Sequence, residues 1–519
     1  MSRGIFKSTS VVGAMTLISR ITGLARDMVY SQAFGAGALM DAFLVAFKIP
    51  NFLRRLFAEG AFSQAFVPVV SEYRVRRSHD EVRELVDGTA GTLAVVLFVV
   101  TLIGVIAAPV IILLFAPGFA QTDGKFELAA AMLRWTFPYL FFISLTALLS
   151  GVLNSYGKFA LPAITQVIMN VVMIVFALFI ATRTSNPGVT LAIGVFVSGL
   201  LQLLVQIPAV MKLGLFRVPR WRPAAEGVRR IGKLMIPGIL GSSMAQVSLL
   251  LDTLIASFLM TGSIAWLYFA DRLMEFPLGV FSIALATVIL PGLSKNHAES
   301  APQQFSNTLD WALRLVIVLA SPAAVAMLVF AGPMTATIFG YGAFTERDVL
   351  MASYALMAYS WGLLAFSLVK VLAPGYFARQ DTRTPVRVAL IGLGCNMAIN
   401  LFVVLPAYFA GFPIPHVLLA TATCIGAAIN SYLLWRGLKR AGVYSPLDGW
   451  PALLWRVLAA NAAMAALLFW LGGSLESWTG APPLVRALRL AGCIGAAAAL
   501  YFAVLYLTGM RVQHVRSRA

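Results

Sequence analysis

Runs of ~20 to 30 mainly apolar residues, cut at charged, proline or glycine-rich breaks, recur along the whole chain. They predict helices near residues 7–33, 39–71, 86–115, 128–154, 160–182, 188–212, 231–259, 265–294, 311–335, 349–378, 385–409, 415–437, 451–472 and 484–509. A bilayer core is crossed by a helix of about 20 apolar residues, so the pattern predicts an all-α polytopic membrane protein of about fourteen transmembrane helices. The first run follows Arg3 and Lys7 and continues through Arg20, Arg26 and Asp27 with no clean small-residue cleavage site. It is read as a retained first helix and not as a signal peptide.

Alternate loops differ sharply in basic residues. One set of loops and ends holds Arg3 and Lys7, then Arg74, Arg76, Arg77 and Arg83, then Lys158. The same set continues with Lys212, Arg217, Arg220, Arg222, Arg229, Arg230 and Lys233, then Lys295, then Arg379, Arg383 and Arg387. It ends with Arg436, Lys439 and Arg440, and with Arg511, Arg516 and Arg518. The opposite set holds only Lys125, Arg183, Arg347, Arg486 and Arg489. By the positive-inside rule both termini are cytoplasmic, which requires an even number of spans.

Two signposts recur at a nearly constant interval. FVPVVSEY from Phe66 is similar to ILPGLSKN from Ile289, and SGVLNSYGKFALPA from Ser150 to APGYFARQDTRTPV from Ala373, offsets of 223 residues. Six spans lie within that distance, so both copies share one orientation and are expected to be related by an axis along the membrane normal. The expected organisation is a six-helix lobe over 1–223, a second over 224–445, and a final helix pair with a cytoplasmic tail over 446–519. Two such lobes commonly face each other across a cavity used for alternating access.

Composition supports this reading: 60% of the 519 residues are hydrophobic and 12% charged, with mean hydropathy +0.86, where soluble domains carry about 25% charged residues. The net charge of +18 does not indicate nucleic acid, because the basic residues punctuate apolar runs instead of forming one soluble face. Cys395, Cys424 and Cys493 lie inside apolar segments without metal or disulfide spacing. The four histidines, His79, His297, His416 and His514, show no metal-like spacing, and there is no GxxxxGK[ST] loop. Neither an ATPase nor any other enzyme is indicated, and no cofactor is expected. Energy would come from an ion gradient, Na⁺ or H⁺, from the membrane potential, or from consumption of the product.

Against this apolar background, charges within the spans stand out, because an ionised side chain at mid-bilayer costs several kcal/mol unless it faces protein or a water-filled cavity. Helix 1 carries Arg20, Arg26 and Asp27; helix 2 carries Asp41, Lys48, Arg54, Arg55 and Glu59. Asp252 lies in helix 7, Asp271, Arg272 and Glu275 in helix 8, and Lys370 in helix 10. Helical spacing puts Asp41, Lys48, Arg55 and Glu59 in one stripe and Arg20 with Asp27 on one face. Internal salt bridges account for part of the set, but helices 1 and 2 hold five cations against three carboxylates. That excess fits an anionic ligand, and arginine suits phosphate because its planar fork donates two parallel hydrogen bonds. Pro50 inside helix 2 predicts a bend. Asp252 with Asn396 and Asn400, four apart on helix 11, would offer one carboxylate and two amide oxygens to Na⁺ if they converge; a plain Asp to Asn hydrogen bond is the alternative.

SRITGLARD from Ser19, DAFLVAFKIPNFLRRLFAEGAFSQAFVPV from Asp41, ADRLMEFPLGV from Ala270 and KVLAPGYFARQDTRTPV from Lys370 resemble the MurJ/MviN family of bacterial lipid II flippases. The family belongs to the multidrug, oligosaccharidyl-lipid and polysaccharide exporter superfamily. The resemblance implies two six-helix lobes with an added C-terminal pair in the bacterial inner membrane. It implies transport of lipid II, an undecaprenyl diphosphate bearing a disaccharide pentapeptide, from the cytoplasmic to the periplasmic leaflet for peptidoglycan synthesis. By resemblance Arg20, Arg26 and Arg272 take the diphosphate and Arg54 shares their cavity. Asp41 and Glu275 make gating pairs with these arginines, and Lys48 and Arg55 belong to the same polar set. A sodium site in some members matches Asp252 and Asn396, whereas Asn400 stands where such members carry a carboxylate. The final helix pair is expected to hold the lipid tail, and the expected partners are lipid II, the phospholipid bilayer and other cell-wall synthesis proteins. The competing readings are a flippase for another undecaprenyl-linked oligosaccharide, a cation-coupled multidrug antiporter, which would need carboxylates in place of arginines, and a non-transporting scaffold.

Overall fold

With no water to satisfy backbone groups inside a bilayer, apolar runs close their hydrogen bonds within each segment as helices. The computed structural model describes residues 3–56, 62–215, 219–279 and 284–511, and among these it contains helices and no strand. Packing divides the chain into two units, Met1–Gly262 and Ser263–Ala519.

The first unit contains α1 (Arg3–Phe34), α2 (Ala38–Leu53), α3 (Ser63–Arg76), α4 (His79–Ile106), α5 (Ala108–Phe115), α6 (Lys125–Thr136), α7 (Tyr139–Ser155), α8 (Ala160–Val175), α9 (Pro187–Met211) and α10 (Glu226–Phe258). The second contains α11 (Ser263–Pro277), α12 (Ala284–Ala298), α13 (Pro302–Val329), α14 (Ala331–Ile338), α15 (Glu346–Phe377), α16 (Arg383–Ile399), α17 (Leu405–Phe409), α18 (Pro415–Arg440), α19 (Trp450–Gly472), α20 (Glu476–Thr479) and α21 (Pro483–Leu507). Ten helical segments among the described residues are long and apolar enough to cross a membrane. The other four expected spans, 7–33, 39–71, 231–259 and 265–294, contain α1, α2 with α3, α10, and α11 with α12. Each of those four includes residues outside the fully described set.

The internal repeat read from two short signposts reaches into the secondary structure. α4 and α13 are both 28 residues long and begin 223 residues apart; α5 and α14 are both 8 residues long at the same interval. A π-helical turn at Phe176–Ile180, following α8, recurs at Asn400–Val404, following α16. The cores repeat as well. Phe66, Val70, Val82, Val86, Leu148 and Leu153 are buried together in the first unit. Their counterparts 223 residues on, Ile289, Leu293, Phe305, Leu309, Val371 and Tyr376, belong together to a core cluster of the second. Burial of this kind is set by which helix faces meet, so the repeat is one of packing and not only of letters.

Similarity and packing draw different boundaries. The repeat starts its second copy near residue 224, but α10 packs against α3, α4 and α5 of the first unit. α19 and α21 pack against α13, within the second unit.

Candidate functional site

On α1, Arg26 is 4% exposed and Asp27 1%. The arginine folds back on its neighbour, donating from Nε and Nη2 to Oδ1 of Asp27 at 3.0 and 2.7 Å. Nη1 reaches across to Oδ1 of Asn170 on α8 at 3.1 Å, and the guanidinium carbon lies 5.5 Å from the centre of the Tyr30 ring. Asn170 is itself oriented, since its amide nitrogen donates to the Ser19 carbonyl and to Thr22 Oγ1, each at 3.1 Å. A second residue therefore fixes the plane of the fork, as a phosphate-binding arginine requires. Asn170 is not singled out by the sequence pattern; its only mark there is to be one of two amides, with Gln166, in the apolar run ALPAITQVIMNVVMIV. Arg20 is exposed and makes no ion pair among the described residues.

At the start of α2, Asp41 is 1% exposed and its Oδ2 accepts from Lys125 Nζ at 2.8 Å and from the Gly262 N–H at 2.8 Å. Lys125, the first residue of α6, is 3% exposed and sits 4.4 Å from the centre of the Phe119 ring. The sequence pattern puts Lys125 in a loop and the family resemblance puts an arginine opposite Asp41; in the structure Asp41 forms an ion pair with the lysine. Gly262 has φ +98°, a conformation natural to glycine, and it ends the linker after α10. Asp41 thus ties α2, α6 and that linker together.

Further along α2, Lys48 donates to Thr253 Oγ1 of α10 at 2.6 Å. Arg54 is 9% exposed and donates to Asn51 Oδ1 at 2.8 Å, whereas Arg55 is exposed. Pro50 lies inside the helix, followed by a π-type turn over 54–56, where the missing N–H loosens the backbone ladder. Glu59, the fourth member of the expected stripe, lies outside the described residues.

In the second unit, Arg272 of α11 donates to Glu275 Oε2 at 2.8 Å and to Tyr268 Oη at 3.3 Å, and it lies over the Tyr268 ring at 5.1 Å. The Arg272 and Glu275 side chains are 34% and 47% exposed, so this i,i+3 pair is accessible. Asp271 is half-buried and Lys370 exposed. Asp252 is half-buried on α10 in the first unit, while Asn396 and Asn400 are buried, on α16 and its π-helical extension, in the second. Among the described residues no group of three or more His, Cys, Asp or Glu side chains is placed to hold a metal ion.

The burial of two further charged residues is not legible in the sequence pattern. Asp310 of α13 is fully buried and accepts from Arg314 Nε, Tyr444 Oη and Trp450 Nε1 at 2.6, 2.8 and 2.7 Å. It pins the turn between α18 and α19. Burial, then the adjacent Asp310, pushes the Tyr444 hydroxyl up. Arg486, 7% exposed, donates to the Ala336 and Gly340 carbonyls at the end of α14, where a cation complements the helix terminus. An apolar cavity of about 590 Å³ lies between Leu328 of α13, Tyr354 and Trp361 of α15, and Thr421 and Cys424 of α18.

A protein-family model described as lipid II flippase MurJ matches residues 30–482. The chain is 46% identical to a protein of Vibrio cholerae serotype O1 described as a probable lipid II flippase MurJ, across 100% of this chain and 98% of that one. It is 42% identical to a lipid II flippase MurJ of Burkholderia cenocepacia, across 99% of each. In three dimensions it matches a structure of lipid II flippase MurJ in an inward closed conformation, with TM-score 0.78 and 24% identity over 96% of this chain and 97% of that one. An inward-facing multidrug transporter of the MATE family shares the fold more loosely, with TM-score 0.65 and 14% identity over 85% of this chain and 99% of that one.

Proposed function

The chain belongs to the MurJ family of lipid II flippases, and we propose that it carries lipid II across the bacterial inner membrane, from the cytoplasmic to the outer leaflet, by alternating access. It is a transporter and not an enzyme. The observation that carries the reading of the site is Arg26, a guanidinium held in place within the span by Asp27 and Asn170.

A diphosphate leaving water needs compensating donors, and pre-oriented arginines supply them without reorganising on binding. The first unit offers Arg20, Arg26 and Arg54 to the diphosphate, and the second offers Arg272. Asp27 and Glu275 hold two of these forks while no substrate is present. On binding, the phosphate oxygens would replace Glu275 as the acceptor for Arg272, while Asp27 keeps the Arg26 fork oriented. The exposed Arg272–Glu275 pair exchanges at little cost, because surface ion pairs contribute only about 0–1 kcal/mol. Asp41 with Lys125 does different work, fastening the linker after α10.

Burial of Lys125 and Arg486 supports the proposed sidedness, because both were counted among the few basic residues of the outer loops. With them engaged internally, the charge contrast between the two sides grows, which supports the reading that both termini are cytoplasmic. We propose the membrane potential or an ion gradient as the driving force. Reconstitution in proteoliposomes with labelled lipid II tests the reading. The intact chain should move the label between leaflets, and Arg26→Gln combined with Asp27→Asn, which keeps the site neutral, should not. Equal transport by both would overturn it.

A further inference from the structure

Between α9 and α10 the chain carries the sequence Pro219-Arg220-Trp221-Arg222-Pro223, and its backbone is seated on α4. The Arg220 N–H donates to the Asp87 carbonyl at 3.1 Å and the Arg222 N–H to Thr92 Oγ1 at 3.4 Å. The seat is made by Gly91, where an added Cβ would lie 2.3 Å from the Arg220 carbonyl carbon. Only a bare helix face lets this segment come so close.

The seat also sets the segment's depth. α4 opens with the polar stretch HDEVRELVD, and its first strongly exposed apolar residues are Val95 and Val96, at 44% and 47%. Val95 is four residues beyond Gly91, about 6 Å along the helix axis. The segment therefore lies where α4 passes from water into hydrocarbon. There it presents an indole, Trp221 at 54% exposure, between two exposed arginines. Tryptophan favours this interfacial level, and basic residues beside it attract anionic headgroups. Arg222 meets Glu84 at 3.9 Å, the outer limit of an ion pair, with the side chains 45% and 65% exposed, so a phosphate can displace this weak contact.

We propose that Arg220, Trp221 and Arg222 form a binding site for an anionic phospholipid headgroup of the leaflet at this end of the bundle. The indole lies at the headgroup boundary and the two guanidinia share the phosphate. The site is separate from the transport arginines and does not rest on their assignment.

The test is retention of phosphatidylglycerol against phosphatidylcholine by the purified full-length chain in neutral detergent, counted by native mass spectrometry. Arg220→Gln with Arg222→Gln should lower phosphatidylglycerol affinity roughly thirtyfold, the worth of two basic residues at an anionic surface. Arg229→Gln with Lys233→Gln removes the same charge from exposed positions on α10 and should change it little. Gly91→Ala keeps every charge but displaces the seat, and should weaken retention if the variant retains the parent melting temperature. Unchanged retention in the Arg220/Arg222 variant, or equal loss in the Arg229/Lys233 variant, would overturn the site.

Discussion

Asp41 and Lys125 meet at 2.8 Å with almost no exposure of either side chain, and the same carboxylate oxygen accepts the Gly262 N–H. Removing one member strands a buried charge, which costs about 3–5 kcal/mol, whereas removing both is often close to neutral. Lys125→Met should therefore lower the melting temperature strongly. Lys125→Met with Asp41→Asn should recover most of it, yet still fail in transport because the linker is no longer held by an ionised acceptor. A double variant as active as the parent would mean the pair is only structural.

Asn170 distinguishes an orienting residue from a packing one. Asn170→Asp keeps the acceptor for Arg26 Nη1 but adds negative charge beside the fork. Transport should fall at least tenfold, by a change of ~1.4 kcal/mol, with normal membrane levels. If Arg26 serves only as half of a salt bridge, the extra carboxylate should instead leave transport intact and raise stability.

Glu275→Gln should leave the melting temperature within about 0.5 kcal/mol of the parent, since the pair with Arg272 is exposed. Transport kinetics should shift, because a neutral amide holds the guanidinium less firmly. Arg272→Lys should transport poorly, keeping the charge but losing the bidentate geometry. Lipid II transport rates in proteoliposomes give both comparisons.

Acid should loosen the contact between α3 and α10. Glu72 accepts from Arg230 at 2.8 Å, and this hydrogen bond holds its carboxyl below the usual 4.5. A depressed carboxylate contributes stability that is fully present above its unfolded value and is lost as pH falls through its folded one. Exchange protection at the start of α10 should thus decline below about pH 4.5, and Glu72→Gln should flatten that dependence.

Much of this architecture was legible in the letters. The fourteen apolar runs and the interval of 223 residues anticipated helices whose cores repeat at that same interval. Positions set by tertiary contact were not legible. Lys125 follows Asp123 and Gly124 and reads as a loop lysine, because nothing local reveals that Asp41 lies opposite it. Asp310 fell one residue outside the expected span at 311–335, so its burial went unseen. The π-helical turns at Phe176 and Asn400 leave no local mark in composition.

The most direct test of the central claim is the accessibility of lipid II to an externally added probe, in cells depleted of this chain and lacking any other flippase for lipid II. Labelling of outer-leaflet lipid II should collapse on depletion. The parent chain should restore it, and the Arg26→Gln, Asp27→Asn variant, at equal membrane abundance, should not. Undiminished labelling after depletion, or full restoration by that variant, would contradict the account.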